Sequence, residues 1–192
     1  MTRGRSADKI SPMTSSYSEN SPLFEVSATV QIGATPYEVY DVISDLKRSK
    51  EWSEECVGGE WVSGEPATVG AVFRGENTRE PDVVAWAPVV RGTWFTDSEV
   101  VAAEPGRLFS WAIRNSAGNK QESIWGFEIR PVEAGSELVH NFRMGSPTEG
   151  ILEITADMTT EEREKFIEEW SQKLKQDISA TAGRIKNVIE SA

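Results

Sequence analysis

Residues 159–190 read TTEEREKFIEEWSQKLKQDISATAGRIKNVIE, and this stretch decides the fold. Apolar or small side chains recur at Ile167, Trp170, Leu174, Ile178, Thr181, Ile185 and Val188, in steps of three and four that follow one face of a helix. Thr159 and Glu162 form a capping box at its start. A helix of this length spans roughly 48 Å at about 1.5 Å per residue. No other segment predicts a helix of comparable length, so the apolar stripe must lie on a sheet. A curved antiparallel sheet gripping one long helix seldom closes completely, and the space between them predicts a pocket for an apolar guest. Gly183 costs roughly 1 kcal/mol against alanine in this helix and reads as a point where the helix thins over that pocket.

Upstream, the pattern is short strands. Phe24, Val26, Ala28, Val30 and Ile32 alternate with polar residues, which predicts a strand with one buried face. Thr35, Pro36 and Glu38 then announce a short helix: Thr35 caps it, Pro36 suits its first position, and Glu38 completes a capping box. Residues 45–52 read as a second short helix or turn ending on Trp52. From Glu54 to about Gly145 strands alternate with turns, marked by Gly64 and Pro66, by Glu104-Pro105-Gly106, by Ala117-Gly118-Asn119 and by Ala134-Gly135. Residues 79–89, with Pro81 and Pro88, are expected to be irregular, and residues 146–150 form a loop towards the last helix.

The chain has 192 residues, 38% of them hydrophobic, enough for one substantial core. Residues 1–22 carry almost no apolar side chains and are expected to be a disordered tail, with residues 23–192 as a single domain. A net charge of −11 argues against binding to a phosphate backbone, so no nucleic-acid partner is expected. The single cysteine, Cys56, cannot form an intramolecular disulfide; with no apolar run long enough to span a membrane and no signal-peptide core, a cytoplasmic monomer or homodimer is expected.

The order strand, two short helices, antiparallel meander, long C-terminal helix resembles the START-like, or birch-pollen-allergen-like, helix-grip fold. The segments Asp45 to Cys56, Gly70 to Asn77, and Glu104-Pro105-Gly106-Arg107-Leu108-Phe109-Ser110-Trp111 are similar to those of its SRPBCC branch, labelled polyketide cyclase/dehydrase and lipid transport. The resemblance spans roughly Phe24 to Ile189. It implies an α+β fold, with a curved antiparallel sheet of about seven strands wrapped around the long helix. It also implies a hydrophobic small-molecule ligand or substrate, handled by an enzyme of the cyclase/dehydratase kind or by a non-catalytic carrier or sensor.

Strand parity then selects side chains that face the helix. Phe109, Trp111, Ile113 and Asn115 share one face; Ser123, Trp125, Phe127 and Ile129 share another; Leu138, His140, Phe142 and Met144 fall together. His140, the single histidine, is the candidate acid/base residue, because imidazole titrates nearest neutrality. A core histidine held by one hydrogen bond is the alternative. One histidine does not make a metal site, and neither metal nor cofactor is expected. Phe73, Gly75 and Asn77 share a face, with Asn77 a polar contact in the cavity; Thr96 and Ser98 add hydroxyls, and Arg74 and Glu76 are expected to pair outside. Trp52, Trp111, Trp125 and Trp170, four of seven tryptophans, are the candidate aromatic walls, with Trp94 compatible with the same interior. Asn115 and Ser123 are expected to orient carbonyl or hydroxyl groups, with Phe142 in the ligand wall. Glu54 and Glu55 read as two solvated glutamates, and Cys56 as a small buried thiol.

Overall fold

A computed structural model describes residues 21–191, so nearly all of the expected tail lies outside the described residues. Alternation becomes strand β1, Phe24–Ile32, with Phe24, Val26 and Ile32 buried. The capping box at Thr35 starts α1, Pro36–Ser44, and a 3-10 helix follows at Leu46–Glu51. Strands β2 (Cys56–Ser63), β3 (Val72–Arg79), β4 (Gly92–Glu104), β5 (Leu108–Arg114), β6 (Lys120–Val132) and β7 (Gly135–Met144) complete one seven-stranded antiparallel sheet in the order β1-β7-β6-β5-β4-β3-β2. Strand β1 forms one edge, α1 and the 3-10 helix carry the chain to the other, and it returns hairpin by hairpin until β7 pairs with β1. The register break at Val100/Ala102 adds one residue to β4, and that at Ala112/Arg114 adds two to β6; each bends its strand, which curves the middle of the sheet.

Short helix α2, Glu149–Thr155, starts inside the loop expected at residues 146–150 and runs on beyond it, unannounced by the sequence. Thr148 caps it, but seven residues are too few to show a helical period. The long helix α3, Thr160–Glu190, is capped by Thr159 as expected. Its buried stripe runs Phe166, Trp170, Leu174, Ile178, Thr181, Ala182 and Ile185. Phe166 replaces Ile167 as its first member, because the four-residue step continues back from Trp170; Ile167 and Val188 lie at the margin, half-buried.

Helix α3 rests on β1 and β7 and meets α1 and the 3-10 helix. Near its C-terminal end, Ile185 joins Val39, Ile43, Phe109 and Phe127 in one apolar cluster; further back, Phe166, Trp170 and Leu174 join Phe24, Val26 and Phe142 in another. The sheet curves away from the helix across its middle strands. That curvature leaves the interior space expected of the helix-grip arrangement.

Candidate active site

The space has two chambers. The inner one encloses about 240 Å³ and is walled by Trp52, Phe73, Trp111 and Trp125, with Ile178 and Thr181 of α3 on the opposite side. His140 projects into it from β7, as strand parity predicts, and is buried with 4% of its surface exposed. Its ring stacks on Phe127 at 4.3 Å and lies 6.0 Å from Trp125. Nδ1 stands 3.0 Å from the carbonyl oxygen of Gly126. Burial pushes the imidazole pKa down to about 4, against the opposing pull of that carbonyl. The ring is therefore neutral near pH 7, and because a carbonyl can only accept, Nδ1 carries the proton. Nε2 is left with a lone pair and no partner among the described residues. The one fully sealed side-chain nitrogen or oxygen without a partner there is Trp52 Nε1; Nε2, absent from that class, borders the open chamber.

Other polar atoms line the same chamber. Asn77 donates both Nδ2 hydrogens, to Gly75 O at 3.2 Å and to Thr96 Oγ1 at 3.1 Å, and keeps its Oδ1 as an acceptor. Ser98, opposite Phe73 in the β3–β4 register, is buried and faces inward with Thr96 as predicted. Gly75 leaves room, since a Cβ there would touch Cys56 Sγ at 3.4 Å. The Cys56 thiol accepts from Ser49 Oγ at 3.1 Å and donates to Gly58 O at 3.4 Å, and none of its hydrogen-bond partners among the described residues is a base. Trp52 is 3% exposed and meets Phe127 edge-on at 5.8 Å.

The outer chamber, about 820 Å³, lies between α2, α3 and the middle strands. Asn115, Ser123, Phe142 and Trp170 line this chamber and not the one that holds His140. The expected single constellation is thus divided. Trp125 borders both chambers and meets Phe142 with ring centres 4.2 Å apart and planes tilted by 32°. Asn115 is occupied locally, its Oδ1 accepting from Asn119 N at 2.9 Å across the β5–β6 turn. Gly183 lines neither chamber, and a Cβ there meets nothing within 4 Å, so it does not thin the helix over a pocket.

Sequence reasoning missed the charged neck where the chambers meet. Glu55 and Asp177 line both. Arg79 binds Glu55 with Nε at 2.7 Å and Nη2 at 2.9 Å, donates to Val90 O, and lies over the rings of Trp94 and Trp170 at 4.4 and 5.0 Å. Lys173 Nζ reaches Glu55 at 2.8 Å and also pairs with Asp177. Glu55 is therefore not a solvated glutamate: burial works to raise its pKa, but Arg79 and Lys173 outweigh it and hold the carboxyl below its usual range. Glu54 is tied to Arg184 of α3. The four-residue spacing of Lys173 and Asp177 was legible on the helix; their meeting with Glu55 and Arg79, remote in sequence, was not. The exposed partner of Arg74 is likewise Asp97, at 2.8 Å, and not Glu76, because residues opposed across strands lie closer than residues two apart along one. Among the described residues no group of His, Cys, Asp and Glu is arranged to hold a metal ion.

A curved antiparallel sheet closed by one long helix over an aromatic-walled cavity defines a helix-grip protein. The family model described as polyketide cyclase / dehydrase and lipid transport matches residues 24–190, and the chain belongs to that family. Among solved structures, a polyketide-cyclase-like protein of Corynebacterium glutamicum is 27% identical, with 88% of this chain and 93% of that one covered at a TM-score of 0.60. The ZhuI aromatase/cyclase from Streptomyces sp. R1128 is 14% identical over 86% of this chain and 93% of its own, at 0.60. The di-domain aromatase/cyclase BexL, from the BE-7585A biosynthetic pathway, is 17% identical; 88% of this chain matches 50% of that one, at 0.62. At 14% and 17% identity these two show the fold alone. No curated protein sequence matches the chain.

Proposed function

We propose that the protein binds a hydrophobic, polyketide-like small molecule in its interior and promotes cyclisation or dehydration of that molecule. The observation that carries this reading is the neutral His140, which offers an unpartnered Nε2 to an aromatic-walled chamber. Trp52, Phe73, Trp111 and Trp125 supply flat apolar area at little cost in entropy. Asn77 and Ser98 orient carbonyl or hydroxyl oxygens in the inner chamber, while Asn115, Ser123, Phe142 and Trp170 hold the remainder of the chain in the outer one. Holding a flexible substrate near its attack geometry contributes about 7–11 kcal/mol in favourable cases, and a hydrogen-bond acceptor at Nε2 adds proton transfer. A synthetic poly-β-carbonyl chain, followed by the absorbance of its aromatic product, tests the proposal. His140→Gln should reduce turnover by about 100-fold or more while leaving affinity within about threefold. Unchanged turnover removes His140 from the mechanism.

One observation favours a second reading, a carrier or sensor that does not transform its ligand. The Nδ1 partner is a backbone carbonyl, and among the described residues no carboxylate hydrogen-bonds the ring to stabilise an imidazolium. Under that reading the chain is recovered unchanged and only tryptophan fluorescence responds. A reducing, cytoplasmic setting fits the single thiol, and among the described residues no helix is long and apolar enough to cross a membrane.

A further inference from the structure

The charged neck holds more hydrogen-bond donors than the protein uses. A lysine ammonium carries three N–H donors and a guanidinium five. Lys173 donates to Asp177, pairs with Glu55 at 2.8 Å and lies 5.3 Å from the Trp170 ring; Arg79 commits three donors, two to Glu55 and one to Val90 O. The remaining cationic N–H groups have no acceptor among the described residues, although the two side chains are only 14% and 8% exposed and both line the outer chamber. Withdrawn from water, such donors call for oxygen acceptors from a ligand. The charges of Glu55, Arg79, Lys173 and Asp177 balance, so a ligand carboxylate would add an uncompensated negative charge unless one resident acid is neutralised.

We propose that the neck binds the carboxylate of an apolar carboxylic acid through Lys173 and Arg79, the hydrocarbon or aryl body lying in the chambers, and that Asp177 takes up one proton from solvent as the acid binds. This rests on the reading that the interior accepts an apolar guest, and narrows it to acids. Asp177 is the member placed to yield. Burial raises its carboxyl; Lys173 on its own helix opposes this, while Glu55 and Glu54 from the segment before β2 reinforce it. Glu54 is itself held by Arg184. Glu55 is locked by Arg79 and Lys173 and stays ionised. Protonating Asp177 frees the Lys173 ammonium for the incoming carboxylate, and the charge of the neck is conserved: one anion and one proton enter together. His140, neutral above about pH 4, takes no part in this exchange.

The test uses the full chain with 2-naphthylacetic acid and its methyl ester, titrated by tryptophan fluorescence and by calorimetry from about pH 8 to about pH 6. For the wild type, the acid should tighten by up to about tenfold per pH unit of fall while the ester stays flat, and calorimetry in phosphate and in Tris should return uptake of about one proton. Asp177→Asn, neutral at every pH, should bind the acid about tenfold or more tighter than wild type near pH 7.5, with no pH dependence. Lys173→Met should weaken the acid about tenfold or more and spare the ester. The carboxylate site is overturned if acid and ester share one affinity and one pH response in the wild type, or if Asp177→Asn leaves the acid's profile unchanged. Failure of both probes to bind would overturn the apolar-guest reading on which it rests; binding of the ester alone would overturn only the carboxylate site.

Discussion

Lowering the pH should destabilise the protein through His140 in a defined window. The unfolded imidazole titrates near 6.5 and the folded one at about 4, because protonation would place a charge among Phe127, Trp125 and the apolar chamber wall. As the pH falls, the unfolded state therefore binds the proton first. The contribution is fully present above about pH 6.5, declines through the window, and is exhausted at about pH 4, where both states are protonated. At about 1.4 kcal/mol per pH unit the depression amounts to about 3 kcal/mol, a large fraction of a typical domain's stability. Urea unfolding at pH 7.5, 6.5, 5.5 and 4.5, run in parallel on the wild type and His140→Gln, isolates this group, since the carboxylates are common to both. The difference between the two curves should change by about 2–3 kcal/mol over that range. As His140 is the only histidine, its imidazole resonance in the NMR spectrum is unambiguous. A flat difference, or a resonance titrating near 6.5, would refute the placement of a neutral ring in a dry wall.

Gly183→Ala should stabilise the protein by about 0.5–1 kcal/mol, seen as a raised urea midpoint, because helix α3 gains propensity and the new methyl meets no neighbour. Thr159→Ala removes the hydroxyl that accepts from Glu162 N at the head of α3, leaving the reciprocal bond from the residue 159 backbone N–H to Glu162, and should cost about 1 kcal/mol in the same assay. Arg79→Met deprives the Glu55 carboxylate of its bidentate partner in a largely buried site; a loss of about 3 kcal/mol is expected in thermal or urea unfolding, whereas a change below about 0.5 kcal/mol would mean that water reaches the neck freely. Phe127→Ala empties the centre against which Trp52, Trp111 and His140 all pack and should cost about 3–5 kcal/mol.

How much of this was legible beforehand follows from the range of each interaction. The capping boxes at Thr35 and Thr159 join residues three apart, so both helix starts could be read directly. Strand parity is also local: alternation along β7 placed Leu138, His140, Phe142 and Met144 on one face, and all four are buried. The seven-residue helix α2 is not legible because it is shorter than two full helical turns, and Ile167 reads as the first member of the α3 stripe because it and its apolar neighbour Phe166 both fit the spacing.

Parity specifies a face but not a position along it. It turns Asn115, Ser123 and Phe142, like His140, towards the helix, whereas the bends at the register breaks of β4 and β6 accompany two chambers, with Trp125 at their junction. The neck shows the same limit more sharply. Glu55 stands 24 positions from Arg79 and reads as solvated in the sequence, since no local pattern announces a partner that arrives from the neighbouring strand. By itself the amino-acid order determined the elements, their buried faces and the grip of one helix on one sheet, because periodicity, capping and turn chemistry act over a few residues. Tertiary structure alone decided where the sheet lifts from the helix, which polar side chains meet in the gap and which protonation states they hold there, because burial and ion pairing depend on distances between elements that chain order leaves open.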